Sequence, residues 1–120
     1  MTRDEIVSHP CRVLTSEQRE HYFEQGFVAL ESLLEGAWLQ RAHRALAVLV
    51  ERSTSLSASD GIFDLETDHG AADPRLRRVA YLDDQDPLFW ELCSQSVLVD
   101  LAADLVGLDV TFRECMVNYK

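Results

Sequence analysis

The residues best suited to bind a metal ion form an acidic cluster around one histidine. Asp68 and His69 are adjacent, and Asp64, Glu66 and Asp73 lie close to them in the sequence. Carboxylate and imidazole groups together can bind divalent cations. Adjacent aspartate and histidine side chains converge only when a turn holds them, however, and a glycine follows directly. A solvated acidic loop is therefore the favoured interpretation, and a metal site in this loop is the alternative.

A second acidic run, Asp83, Asp84 and Asp86, precedes Pro87. Three carboxylates so close together suggest calcium, but the run lacks the ligand pattern of a calcium-binding loop. Aspartate followed by proline is a common helix start, because the carboxylate caps the first turn and proline suits the first helical position. We therefore interpret Asp86 as a helix cap.

The other histidines and the cysteines have no evident catalytic partner. His21 and His43 fall on predicted helices, where packing or surface positions suit them better than a role as general base. The cysteines Cys11, Cys93 and Cys115 are odd in number and lack the spacing of metal ligands. We interpret them as reduced, buried thiols of a cytoplasmic protein.

Composition limits the classes of partner. The chain has 120 residues, one domain's length at most, and a formal net charge of −10. Such a chain repels nucleic acid and anionic membrane surfaces, and no basic stripe opposes this. The N-terminus has no apolar signal segment, and no apolar run is long enough to cross a bilayer.

The first helix signal is a capping box. Thr15 is followed three residues later by Gln18, which predicts a helix that runs to about Gln25. Gly26 then suits the left-handed position after a helix. Residues 1–13 show no periodicity and are predicted to form a flexible arm. The apolar residues 27–30 follow the glycine and predict a short strand.

The strongest helix signal lies over residues 37–52, where apolar side chains recur every three or four residues. This spacing predicts a helix with one buried face, and Arg41 and Arg44 on the exposed face. The apolar stripe of this helix consists of Trp38, Leu39, Ala42, Ala45, Leu46, Leu49 and Val50. Residues 53–61, after the helix, are predicted to form a polar loop.

The second half of the chain mixes strands and helices. Residues 62–74 carry no clear pattern and are interpreted as loop, whereas residues 75–82 predict a strand. A helix is expected from Pro87. Another follows a serine cap, Ser94 or Ser96, and closes at a glycine. Residues 109–119 favour a final strand because Val, Phe and Tyr recur there.

Three segments, taken in this order, resemble phytanoyl-CoA dioxygenase-like proteins. The resemblance covers residues 14–120 and depends on the order and spacing of the segments, since none is specific alone. The segments are Leu14-Thr15-Ser16-Glu17-Gln18 to Tyr22 with Gln25-Gly26-Phe27-Val28-Ala29-Leu30; Asp86-Pro87-Leu88-Phe89 to Leu105-Val106-Gly107; and Met116-Val117-Asn118-Tyr119-Lys120.

The resemblance implies an α+β fold, in which N-terminal helices pack on an incomplete double-stranded β-helix core of the jelly-roll or cupin type. It also implies an Fe(II)- and 2-oxoglutarate-dependent dioxygenase that hydroxylates or otherwise oxidises a small organic substrate. Such iron sites need two histidines and one carboxylate. The family supplies the first two as His-x-Asp or His-x-Glu, and none of His9, His21, His43 and His69 is followed in that way.

The chain is therefore expected to be the N-terminal portion of such an enzyme, inactive alone and without tightly bound iron or 2-oxoglutarate. The resemblance implies that its last strand borders the 2-oxoglutarate pocket. Met116, Asn118 and Lys120 share one face of that strand by period two, and Arg78 is a candidate partner for the co-substrate's carboxylate. Ordinary sheet packing and a solvated chain end are the alternatives for these residues.

Two further expectations concern partners. A strand edge left open by an incomplete core is expected to favour self-association. The alternative to an oxygenase is a small acidic helical interaction module without catalysis, in which the missing iron ligands need no explanation.

Overall fold

A computed structural model describes all 120 residues and has an α+β architecture. The chain divides into two compact units, one of Met1–Glu35 with Leu92–Phe112 and one of Gly36–Glu91 with Arg113–Lys120. The elements, in chain order, are α1 (Arg3–Val7), α2 (Ser16–Gln25), α3 (Gly36–Ser53), β1 (Phe63–Leu65), β2 (Leu76–Val79), α4 (Leu82–Gln85), α5 (Pro87–Gln95), α6 (Val97–Val106) and β3 (Val117–Asn118).

A buried carboxylate on α6 organises the first unit. Asp104 is 3% exposed, and its two oxygens accept the backbone N–H groups of Arg12, Val13 and Leu14 at 2.8, 2.8 and 2.9 Å. Burial by itself raises the pKa of Asp104, but these three donors and the charge of Arg19 outweigh it. The pKa therefore lies below its ordinary value.

A buried arginine on α2, Arg19, binds backbone carbonyls in and after α1. The Arg19 guanidinium donates to the carbonyl of His9 at 2.8 Å and, more weakly, to those of Ile6 and Val7 at 3.4 Å. Ile6 and Val7 are the last two residues of α1, and His9 lies just beyond it, so Arg19 holds the end of this helix and the segment that follows. Residues 1–13 were predicted to form a flexible arm, but Arg3–Val7 within this run form a helix.

The α1 helix has the same start signal as α2, and the sequence interpretation missed it. Thr2 and Glu5 form a capping box, in which the Thr2 side chain accepts the Glu5 N–H and Glu5 accepts the Thr2 N–H. The capping box at Thr15 and the left-handed Gly26, with φ of 81°, are confirmed for α2.

The strand predicted over residues 27–30 is wrong. These residues form neither helix nor strand, and the Phe27 side chain is 60% exposed. A strand forms only where a second strand pairs with its backbone, and no strand of the sheet pairs with this run. Local strand propensity is therefore not enough here.

In the second unit, α3 buries one face against the sheet side chains. Ala45 and Leu49 are buried, and Trp38, Ala42, Leu46 and Val50 pack against the same core, which confirms the predicted face. Leu39 is the exception, because it is 49% exposed. Arg41 and Arg44 are exposed, as predicted. The buried core consists of Ala45, Leu49, Phe63, Leu65, Leu76, Val79, Leu82, Leu88 and Phe89.

The sheet is antiparallel with the order β1-β2-β3. The strand predicted over residues 75–82 is confirmed over Leu76–Val79, which form β2, whereas Leu82 begins α4. β1 lies in a run interpreted as loop, and only two residues of the strand predicted over 109–119 are paired. Phe63 pairs with Val79 and Leu65 with Leu76, so one extra residue of β2 forms a bulge.

The helix caps in the second half of the chain are confirmed. Asp86 Oδ1 accepts the Leu88 N–H at 2.9 Å at the start of α5, and Ser96 caps α6, which ends at Gly107. The short helix α4 was not predicted. It follows Tyr81, whose left-handed backbone, with φ of 52°, turns the chain sharply after β2.

The structure contains no helix that is both long and apolar enough to cross a membrane. Even α3, with 18 residues, carries charged side chains along its exposed face.

Replacing Asp104 with asparagine is expected to lower the free energy of unfolding by about 2–4 kcal/mol. The amide offers one acceptor oxygen instead of two, and its NH₂ group faces N–H donors that it cannot satisfy. Urea denaturation followed by circular dichroism measures the loss. Asp100→Asn is the matched control, because Asp100 lies one turn away on α6 in an exposed ion pair with Arg12, and it should cost much less.

The difference in stability between the unmodified chain and Asp104→Asn is expected to depend on pH. Because the pKa of Asp104 is lower in the folded chain than in the unfolded chain, its stabilising contribution is complete above the ordinary carboxyl range. It is lost as the pH falls through the lowered folded pKa. Asp104→Asn should lack this part of the acid destabilisation, and equal acid profiles for the two chains would contradict our account of Asp104.

Candidate functional site

The predicted site residues lie on the outer face of the sheet. Arg78 of β2 pairs with Asn118 of β3 on one side and with Asp64 of β1 on the other. Side chains directly opposite one another in a sheet share a face, so Asp64, Arg78 and Asn118 form a row, called here the polar row. Met116 and Lys120 flank Asn118 just outside the strand, and both are exposed.

The bulge explains why this face is so rich in arginine. Leu76 and Val79 are both buried although they lie three residues apart, and Arg77 and Arg78 between them are both exposed. A regular strand would have turned one of the two arginines towards the core. The bulge therefore keeps two adjacent guanidinium groups in solvent.

Each arginine of β2 and its N-terminal flank has a carboxylate partner. Arg77 Nε lies 3.0 Å from Glu66, and the hydrogen bond with this carboxylate raises the pKa of Arg77. Arg78 lies 3.9 Å from Asp64, and Arg75 lies 3.4 Å from Asp68. A 2-oxoglutarate carboxylate that binds Arg78 must therefore compete with Asp64. The role of the polar row in cofactor binding stays a prediction.

His69 is held by hydrogen bonds through both ring nitrogens. Nδ1 accepts the Arg75 N–H at 2.9 Å, so Nε2 carries the proton and donates to the Ser53 carbonyl at 2.9 Å. Ser53 is the last residue of α3, so the imidazole connects the loop after β1 to the end of that helix. Neither nitrogen is left to bind a metal ion, which weakens the loop-site interpretation.

The residues present do not fit an iron centre. No three side chains of the kinds that ligate metals come together anywhere in the chain. The sequence has no His-x-Asp or His-x-Glu, and its one ligand-like histidine uses both ring nitrogens in hydrogen bonds. An iron site of the oxygenase type would therefore need ligands from outside these 120 residues.

In the second acidic run, Asp83 and Asp86 accept backbone hydrogen bonds that hold the local structure. Asp83 Oδ1 accepts the Cys115 N–H at 3.3 Å, and the Leu82 N–H donates to the Cys115 carbonyl at 2.9 Å. Together they hold the segment that leads into β3 against α4. With Asp86 occupied as a helix cap, this run has few carboxylate oxygens to offer calcium. The three cysteines form no disulfide and are of intermediate burial.

Sequence reasoning missed Tyr119, the residue after β3. Its N–H donates to the Arg77 carbonyl at 2.8 Å, but its hydroxyl is buried without a hydrogen-bond partner. Burial raises the pKa of Tyr119. Alternation along the strand gives the only sequence signal, because it places Val117 and Tyr119 together on the inner face. A buried hydroxyl without a partner is uncommon, because most buried polar atoms are hydrogen-bonded.

Comparison with known proteins finds no match to a family model, to a curated protein or to a solved structure.

Replacing Tyr119 with phenylalanine is expected to leave this chain as stable as before or to stabilise it by about 1 kcal/mol, because the change removes an unpaired buried hydroxyl. Thermal and urea unfolding measure the difference. Tyr22→Phe on α2 is a control for the loss of a partly buried tyrosine hydroxyl elsewhere. A clear loss of stability for Tyr119→Phe alone would show that the hydroxyl has a partner in solution.

Proposed function

We propose that this chain is the N-terminal portion of a phytanoyl-CoA dioxygenase-like oxygenase. It supplies helices and the first strands of the core, and other residues supply the iron ligands. The observation that carries the proposal is the unpaired outer edge of β3. This strand pairs only with β2, so no strand lies beside its outer edge. A further strand of a jelly-roll core would pair with that edge.

The order of elements also supports the proposal. A capped helix that ends at Gly26, a long amphipathic helix, a helix that starts at Pro87, and a helix closed by Gly107 precede the last strand. This is the order on which the resemblance depends. Residues 27–30 do not form the expected strand, and this departure from the family pattern weakens the resemblance in its first segment.

The proposed activity belongs to the whole protein. It is the oxidation, usually hydroxylation, of a small organic substrate with Fe(II), O₂ and 2-oxoglutarate. The contribution of the present residues is structural support. Their candidate contact with 2-oxoglutarate consists of Arg78 and Asn118 of the polar row together with the flanking Met116 and Lys120. A cytoplasmic location remains part of the proposal, and three cysteines without a disulfide are consistent with it.

A non-catalytic interaction module is the second candidate, and one observation favours it. Leu39 and Val48 on α3 are 49% and 62% exposed, so the helix presents apolar side chains outside the face that packs in the core. Exposed apolar side chains on a helix can mark a contact with another protein. The absence of an assembled metal site is compatible with either candidate.

The chain alone is expected to show no oxygenase turnover. Without two histidines and a carboxylate on one face of the metal, Fe(II) is not held in a productive geometry. The assay supplies Fe(II), O₂ and 2-oxoglutarate to the purified chain and measures succinate. Succinate above the level of a protein-free control would contradict the assignment of the iron ligands to other residues.

The coding sequence after Lys120 separates the two candidates. The oxygenase proposal expects an open reading frame with His-x-Asp or His-x-Glu on a following strand. It also expects the longer chain to decarboxylate 2-oxoglutarate, and to lose this activity when that histidine becomes alanine. A stop codon directly after Lys120, or a continuation without the motif, would reject the oxygenase and leave the interaction module.

A further inference from the structure

The segment of residues 108–114 is exposed along its whole length. Each of its seven residues is exposed, and residues 109–116 form neither helix nor strand. Leu108, Val110 and Phe112 are 44%, 42% and 37% exposed. The sequence Leu-Asp-Val-Thr-Phe-Arg-Glu alternates apolar and polar side chains until Arg113. Such alternation suits a half-buried strand, yet no strand of this chain pairs with the segment.

The segment is complementary to itself in the antiparallel direction. When Thr111 lies opposite Thr111 of a second copy, Asp109 lies opposite Arg113 and Val110 lies opposite Phe112. Twofold symmetry repeats each of these pairs. Opposite charges, Thr–Thr pairs and aromatic–β-branched pairs are all favourable across strands. Within residues 109–113 the polar pairs fall on one face of the two-stranded ribbon and the apolar pairs on the other, whereas the outermost pair, Leu108 with Glu114, is not complementary.

The charges in this pattern have no partner within the chain. The ion pairs of the structure involve other residues, and Asp109 and Arg113 belong to none of them. Both side chains are exposed, and neither has an ion pair that a second copy would have to break. Shifting the register by one residue would move Asp109 opposite Phe112 and lose both the charge pairs and the apolar pairs.

We propose that residues 108–114 are a self-association surface, through which two copies of this chain pair as antiparallel strands centred on Thr111. The occupant is a second copy because the charge and apolar patterns complement each other under twofold symmetry. The net charge of −10 opposes the approach of two copies. A ribbon this short also makes a small interface, so the association is weak and concentration-dependent.

This inference does not rest on the proposed function. A chain that proves to be an oxygenase fragment can pair through residues 108–114, and so can an interaction module. Conversely, a strictly monomeric chain leaves the test of the coding sequence after Lys120 unaffected. The two proposals therefore fail separately.

Charge reversal and mixing test the register. Sedimentation velocity over a range of concentrations should show dimer formation by the unmodified chain. Asp109→Arg and Arg113→Asp should each lower the association constant by about tenfold, because each places like charges opposite one another at two positions. Mixing these two variants should restore association as a mixed dimer, and the double variant Asp109→Arg/Arg113→Asp should restore it within one chain.

The single variants exclude a general charge effect. Asp109→Arg makes the chain less negative, so net repulsion alone would strengthen association, whereas the register predicts weaker association. Glu24→Arg on α2 makes the same charge change at another exposed position and should not weaken association. Circular dichroism confirms that each variant is folded. Monomers at every concentration, or dimers that neither single variant weakens, would overturn the proposal, as would variants that fail to associate when mixed.

Discussion

The buried carboxylate of Asp104 is the constraint on which the first unit depends. A buried charge is costly unless hydrogen bonds replace its lost water, and here three consecutive backbone N–H groups do so. Consecutive donors point to one place only when the backbone curls around it. The carboxylate therefore fixes the path of residues 12–14. Since Thr15 follows immediately as the cap of α2, a side chain on α6 holds the segment that leads into a helix near the other end of the sequence.

Arg19, which carries the opposite charge, also stabilises the first unit. Its guanidinium donates to three carbonyls at the end of α1 and just after it, and its charge also favours the ionised form of Asp104. The sequence could not reveal either role. Asp104 and Asp100 are both aspartates on the same amphipathic helix, yet one is 3% exposed and the other lies in an exposed ion pair. Only the tertiary structure distinguishes them.

Features specified by a few neighbouring residues were predictable, and features that need a distant partner were not. The Thr15 cap, the Asp86–Pro87 start and the stripe of α3 depend on side chains at most four residues apart, so local patterns suffice. Strands are different. The runs at 27–30 and 76–79 both contain strand-forming residues, but only the second meets another strand. The candidate site follows the same rule: alternation suggested a shared face for Met116, Asn118 and Lys120, whereas the pairing of Arg78 with Asn118 and Asp64 required the sheet.

The acidic cluster around His69 shows how a tertiary pairing changes the meaning of a sequence pattern. Carboxylates at 64, 66 and 68 are followed after a turn by arginines at 78, 77 and 75, and the chain pairs them in that order. This is the order that an antiparallel hairpin imposes, with the bulge at Arg77 accounting for the adjacent arginines. Viewed alone, the carboxylates suggest a cation site. Viewed with the second strand, they are one half of a ladder of ion pairs, and a metal ion would have to displace guanidinium groups that the hairpin itself holds in place.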